Sequence, residues 1–215
     1  MGKPTTHVIE VTDKSGSMGH LADDVIGGYN GYLDSLEGDD EVRYRVTSVL
    51  FSSAYNREDD GYDVLCVSEK PKDAPRLSPT NYRPAGGTAL LDAIGRAITD
   101  FEKKTKLGKD DRVLLVVQTD GQENSSREYT REGISKMIAD REGTGQWSAI
   151  FMGAGPDTWQ QAGGMGFSTS LSYAGDSKGV ASSYEGLTAT SRSYSRGATR
   201  SEAAAASGLT VETDS

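Results

Sequence analysis

Five oxygen-bearing side chains stand where apolar runs of this sequence give way to turns or helices. Asp13, Ser15 and Ser17 lie in DKSGSM, directly after HVIEV. Thr88 lies in GGTALLDA, ahead of an apolar helical stripe. Asp120 closes RVLLVVQT and opens DGQEN. Two carboxylates and three hydroxyls make an all-oxygen donor set. Such donors suit hard cations, Mg²⁺ first with Mn²⁺ or Ca²⁺ as alternatives, and suit Zn²⁺ or Cu⁺ poorly. The D-x-S-x-S spacing lets one turn aim three side chains in one direction, and Gly16, Gly86, Gly87 and Gly121 permit tight turns and close backbone approach. The competing reading makes Asp13 and Asp120 turn residues and Ser17 a helix N-cap.

The elements that must position these residues follow from periodicity. Strands are expected at His7–Val11, Tyr44–Ser53, Tyr62–Ser68, Arg112–Thr119, Trp147–Met152 and Phe167–Tyr173. Helices are expected at Leu21–Leu36, Leu90–Phe101, Tyr129–Arg141 and Lys178–Tyr194, with a helical turn at Thr158–Gly163. Gly27 and Gly28 cost helix propensity and are expected to allow close packing on a sheet. Ala54–Gly61 is polar and acidic and reads as a hairpin or loop, which makes its flanking strands antiparallel neighbours. RVLLVVQT is nearly continuous in apolar residues, the pattern of a strand buried on both faces of a parallel sheet. Alternation of this kind predicts an α/β, doubly wound, mostly parallel sheet with one antiparallel edge strand and helices on both faces. Sites on such sheets form beyond the strand carboxyl ends, at the switch in strand order. Residues 5–196 read as one domain, and 197–215, rich in Gly, Ser and Ala, as a flexible C-terminal tail.

The set Asp13, Ser15, Ser17, Thr88 and Asp120, with T-D-G intact at Thr119–Gly121, resembles a von Willebrand factor type A domain with a metal-ion-dependent adhesion site. The separations of about 70 and about 30 residues fit that family, and the resemblance covers nearly the whole chain. It implies metal-dependent binding of a protein partner that presents an Asp or Glu carboxylate. A terminal cysteine pair, found in extracellular adhesion members, is missing. The family also includes phage and bacterial proteins, so a structural role in a larger assembly such as a virion, independent of the metal, is the alternative. A metal-dependent hydrolase is the third reading. It lacks an evident general base, because His20 is the sole histidine in these motifs. Neither GxxxxGK[ST] nor GxGxxG occurs. A rim for partner contact is expected from His20, Tyr82, Arg83, Glu123 and Asn124. Asp23, Asp24 and Asp92 read as helix-dipole and solvent residues.

Composition narrows the classes further. A net charge of -9 disfavours nucleic-acid binding. No run of apolar residues is long enough to span a membrane, and no leader is expected before the first strand. The single cysteine, Cys66, cannot form an internal disulfide and reads as a small buried hydrophobe; a reducing, cytoplasmic setting is the expectation. The oligomeric state stays open.

Overall fold

A computed structural model describes residues 4–53, 60–154, 158–208 and 211–213; of the expected hairpin or loop at Ala54–Gly61, residues 54–59 lie outside them. The run around HVIEV forms β1 (Thr5–Asp13), buried from Thr6 onward. The remaining strands are β2 (Arg43–Phe51), β3 (Tyr62–Glu69), β4 (Arg112–Thr119), β5 (Trp147–Ala154), β6 (Thr169–Tyr173) and β7 (Val211–Thr213). Among the described residues they form one sheet in the order β3-β2-β1-β4-β5-β6-β7. The strands from β2 through β6 in that order are parallel, and β3 is antiparallel to β2, as the sequence predicts. A second antiparallel edge strand, β7, pairs with β6 and was not foreseen.

Helices α1 (Ala22–Glu37), α5 (Ser177–Ser195) and α6 (Arg200–Ala205) cover one face of the sheet; α2 (Leu90–Lys104), α3 (Arg131–Glu142) and α4 (Thr158–Gly164) cover the other. Alternate residues of β1 and β4 therefore enter opposite cores. Val8, Leu114 and Val116 meet Tyr29, Leu33 and Leu187, whereas Ile9, Val11, Leu115 and Val117 meet Ile94, Ile98 and Ile134. Burial on both faces explains the nearly continuous apolar run of β4. Gly28 packs against α5 rather than the sheet: a Cβ there would lie 2.1 Å from Tyr184 Cδ2, while Gly27 has nothing within 4 Å. Cys66 is half-buried on β3, and burial pushes its thiol up to about 11, so it stays protonated.

The expectation of a flexible tail from residue 197 needs correction. Thr199 and Glu202 form a reciprocal capping box that starts α6, and Ala203 and Ala204 are buried, Ala203 in the core shared with α1 and α5. In sequence the alanines could extend a helix, but the flanking Gly and Ser favour a frayed tail, because the burial that holds them depends on a surface supplied by distant residues. Among the described residues, no helix is long and apolar enough to cross a membrane.

Candidate metal centre

The sheet reverses its strand order around β1: the chain moves from β1 to β2 on one side and later to β4 on the other. The carboxyl ends of β1 and β4 thus open on a crevice, the place where doubly wound sheets bind ligands. Asp13 ends β1, and Asp120 follows Thr119 at the end of β4. A 3-10 turn at Gly16–Leu21 carries Ser17 back over the strand ends before α1 begins. Ser17 Oγ donates to Asp120 Oδ1 at 2.6 Å across 103 residues of sequence, and Ser15 Oγ lies 3.1 Å from Ser17 Oγ. Thr88 enters from the loop before α2. A Cβ placed on Gly121 would sit 3.1 Å from Thr88 Oγ1 and 3.5 Å from Ser17 Oγ, so these two hydroxyls flank the same glycine of the Asp120 loop. The structure therefore gathers all five predicted donors.

The loops are laced together by backbone bonds. Gly16 N–H donates to Gly86 C=O at 2.9 Å, and Ala85 N–H to Lys14 C=O at 2.8 Å. Gly86 adopts φ +78°, a conformation open to glycine at little cost. Asp13 is fully buried. Its Oδ1 accepts the Ser15 N–H at 2.6 Å, and its Oδ2 accepts the Thr119 hydroxyl at 2.6 Å. Burial pushes its carboxyl up to about 6 despite these bonds, and the Asp120 charge adds to the rise. Among the described residues no basic side chain ion-pairs with either carboxylate; Lys14, the nearest in sequence, is bound to Asp63 at 2.6 Å.

This donor set fits a hard divalent cation. Two carboxylates stand close without a positive partner, beside neutral hydroxyls, and every donor is oxygen. Among the described residues no three His, Cys, Asp or Glu side chains gather as metal ligands, so hydroxyls are what supplement the two acids here.

The predicted rim is only partly a rim. Tyr82 is 2% exposed, and its hydroxyl donates to the Asp13 carbonyl at 2.7 Å. It buttresses β1 from beneath because its ring is drawn into the core under α1. Glu123 is also turned inward. Its carboxylate accepts N–H groups of Leu91 at 3.0 Å, Ser125 at 2.8 Å and Ser126 at 2.8 Å, and the Ser126 hydroxyl at 2.7 Å. An anion at the first turn of α2 satisfies helix donors that lack intrahelical partners. His20, Arg83 and Asn124 remain exposed. His20 Nδ1 lies 2.8 Å from the Ser17 carbonyl and so carries the proton of that bond.

Three residues escaped the sequence reading. Asp92 is not a solvent residue: its carboxylate is buried and accepts the N–H groups of Arg127, Glu128 and Tyr129 at 2.8–2.9 Å, fixing the far end of the Asp120 loop. Thr119 was read only as part of T-D-G, yet it holds Asp13. Ser53, just past β2, contacts Gly87 of the Thr88 loop. The Ser and Thr at strand ends are the available signal, and it is a weak one.

No family model matches the sequence, and no curated protein matches it. Solved structures do resemble it. The pilus adhesin SpaC from Lactobacillus rhamnosus GG superposes with a TM-score of 0.68 at 14% identity, over 90% of this chain and 31% of that one. Proximal thread matrix protein 1 from the mussel byssus, solved with a zinc-occupied MIDAS motif, gives 0.60 at 12% identity, over 87% and 48%. A von Willebrand factor type A protein from Catenulispora acidiphila gives 0.53 at 18% identity, over 88% and 43%. This chain thus spans less than half the length of each. It has the von Willebrand factor type A fold.

Proposed function

We propose that this von Willebrand factor type A fold serves as a protein-interaction module whose recognition element is a divalent cation, Mg²⁺ first, held by Asp13, Ser15, Ser17, Thr88 and Asp120. One observation carries the reading: three loops far apart in sequence bring two carboxylates and three hydroxyls to the sheet's carboxyl end, joined by the Ser17–Asp120 bond. A cation bound there supplies positive charge and a coordination position for a partner's Asp or Glu carboxylate.

The chain's own residues set that chemistry. Ser15, Ser17 and Thr88 contribute oxygens without charge, so two carboxylates alone offset the cation and its attraction for an anion survives. Thr119 and the Ser15 N–H hold the Asp13 carboxylate in one orientation. Exposed His20, Arg83 and Asn124 frame the face on which the partner would rest. The adhesive and matrix roles in the names of the structural neighbours support a binding module over an enzyme. Zinc belongs to the mussel protein's site; here the all-oxygen donors favour Mg²⁺.

A pull-down from host extract in Mg²⁺, in EDTA and with Asp120→Ala tests the reading. A partner retained by wild type in Mg²⁺ and lost in both other arms is the expected result. Retention in all three moves recognition to another surface and favours a metal-independent role in an assembly. Metal-dependent hydrolysis of a phosphoester or peptide, lost in Asp120→Ala, favours the enzyme reading.

A further inference from the structure

Gly87 and Thr88 have all four of their backbone polar groups tied by two residues outside their own loop. On one side stands Ser53, at the end of β2. Its Oγ accepts the Gly87 N–H at 2.8 Å, and its N–H donates to the Gly87 carbonyl at 2.7 Å. On the other side stands Asn124, in the loop after Asp120. Its Oδ1 accepts the Thr88 N–H at 3.0 Å, and its N–H donates to the Thr88 carbonyl at 3.1 Å. Each partner uses one side-chain oxygen and one backbone N–H, so the two grips have the same chemistry.

Further contacts hold the Asn124 grip in place. Ser125 Oγ donates to Asn124 Oδ1 at 2.6 Å, approaching that oxygen alongside Thr88. The missing side chain of Gly87 makes room: a Cβ there would come within 2.6 Å of Ser125 Oγ and 2.8 Å of Asn124 Oδ1. The residues between a 3-10 turn at Pro71–Asp73 and α2 form no regular element, and Ala89 caps α2 without a side-chain bond. Without these grips the Thr88 backbone would lack the ladder or helix bonds that fix Asp13 and Asp120 at strand ends.

We propose that Asn124, with Ser53 opposite it, is a positioning residue that sets where the Thr88 hydroxyl stands over the Asp120 loop. It couples two of the three metal-bearing loops through the Thr88 peptide rather than by touching the cation. The inference rests on the metal reading above. Groups that orient ligands in this way typically change metal affinity about ten- to a hundredfold when removed.

A double-mutant cycle tests the role, with Mn²⁺ as the probe, read by titration calorimetry and by the Mn²⁺ electron paramagnetic resonance signal. Asn124→Ala is expected to weaken Mn²⁺ binding about tenfold in the wild-type background. In a Thr88→Ala background it is expected to weaken binding no further, because its effect passes through Thr88. Independent, multiplying losses would make Asn124 a general structural residue and overturn the proposal. A metal-free readout accompanies it: in EDTA, hydrogen exchange at the Thr88 amide should accelerate in Asn124→Ala while the amides of Leu114–Val117 keep their protection. An unchanged Thr88 rate overturns the grip itself. If Asn124→Ala fails to fold, Ser53→Ala takes its place in the same cycle, read at the Gly87 amide. A wild type that takes up no Mn²⁺ overturns the metal reading and this role with it, whereas full affinity in Asn124→Ala overturns the role alone.

Discussion

The Thr119 hydroxyl donates to Asp13 Oδ2 at 2.6 Å, tying the ends of β1 and β4 through side chains 106 residues apart in sequence. Both residues are buried, so water cannot replace the bond. Thr119→Val leaves one buried carboxylate oxygen unpaired, which costs about 1–3 kcal/mol. Urea denaturation in EDTA measures it. A loss well under that range means that Asp13 finds another donor.

Asp120→Ala should abolish Mg²⁺ and Mn²⁺ binding and leave the fold intact. Asp120 is partly exposed and lies outside the core, and its charge opposes that of Asp13 in the metal-free protein. Melting temperature in EDTA is therefore expected to stay level or rise slightly. Calorimetry showing wild-type Mn²⁺ affinity in the variant refutes the ligand assignment.

Tyr82→Phe separates support from recognition. The phenolic hydroxyl holds the Asp13 carbonyl from the interior, and its removal costs about 1 kcal/mol of stability. Capture of a partner should be unaffected once the protein is folded. Lost capture at unchanged stability would return Tyr82 to the binding face.

Stability should fall with rising pH through one residue of β1. Glu10 is buried, and neither carboxyl oxygen has a hydrogen-bond partner among the described residues. Burial pushes its carboxyl up from 4.5 to about 8, with the nearby Tyr184 hydroxyl opposing the rise. Between those values the folded protein keeps a proton that the unfolded chain has lost. Stability due to Glu10 is thus full below pH 4.5, declines by up to about 1.4 kcal/mol per unit as pH rises, and levels off above about 8. Glu10→Gln removes this slope. The stability of the variant relative to wild type should grow steadily across that window in urea melts, and a constant difference at all pH values refutes a neutral Glu10.

Gly28→Ala tests the α1–α5 contact. The new Cβ would collide with the Tyr184 ring, which is buried and bonded to Gln118 at 2.7 Å. Overpacking of this kind costs about 1–3 kcal/mol. Gly27→Ala, with open space around it, should instead be neutral or stabilising through helix propensity. Equal effects at the two positions in thermal melts contradict the packing.

Much of this protein is written locally. Strand β4 spans the residues its apolar run predicts, because burial on both faces keeps Val113–Val117 apolar at every position. The five donors are legible for a related reason: each sits at a strand or helix end, and the D-x-S-x-S spacing is a property of one turn. Burial and partnership are not local. Tyr82 and Arg83 are neighbours in one loop, yet one is drawn under α1 and the other left in solvent. Glu123 looks like a rim carboxylate until α2 presents its unpaired N–H groups. Glu10 is a carboxylate within the first strand, and the layer formed by α1 and α5 seals it from water. The grips of Ser53 and Asn124 engage backbone groups of Gly87 and Thr88, which every residue carries and no sequence marks. The sequence by itself determined which elements form and which oxygens stand at their ends, since periodicity and turn chemistry act over a few residues. Only the tertiary structure decided which polar side chains face the site and which hold it in place, because that depends on what the rest of the chain packs against them.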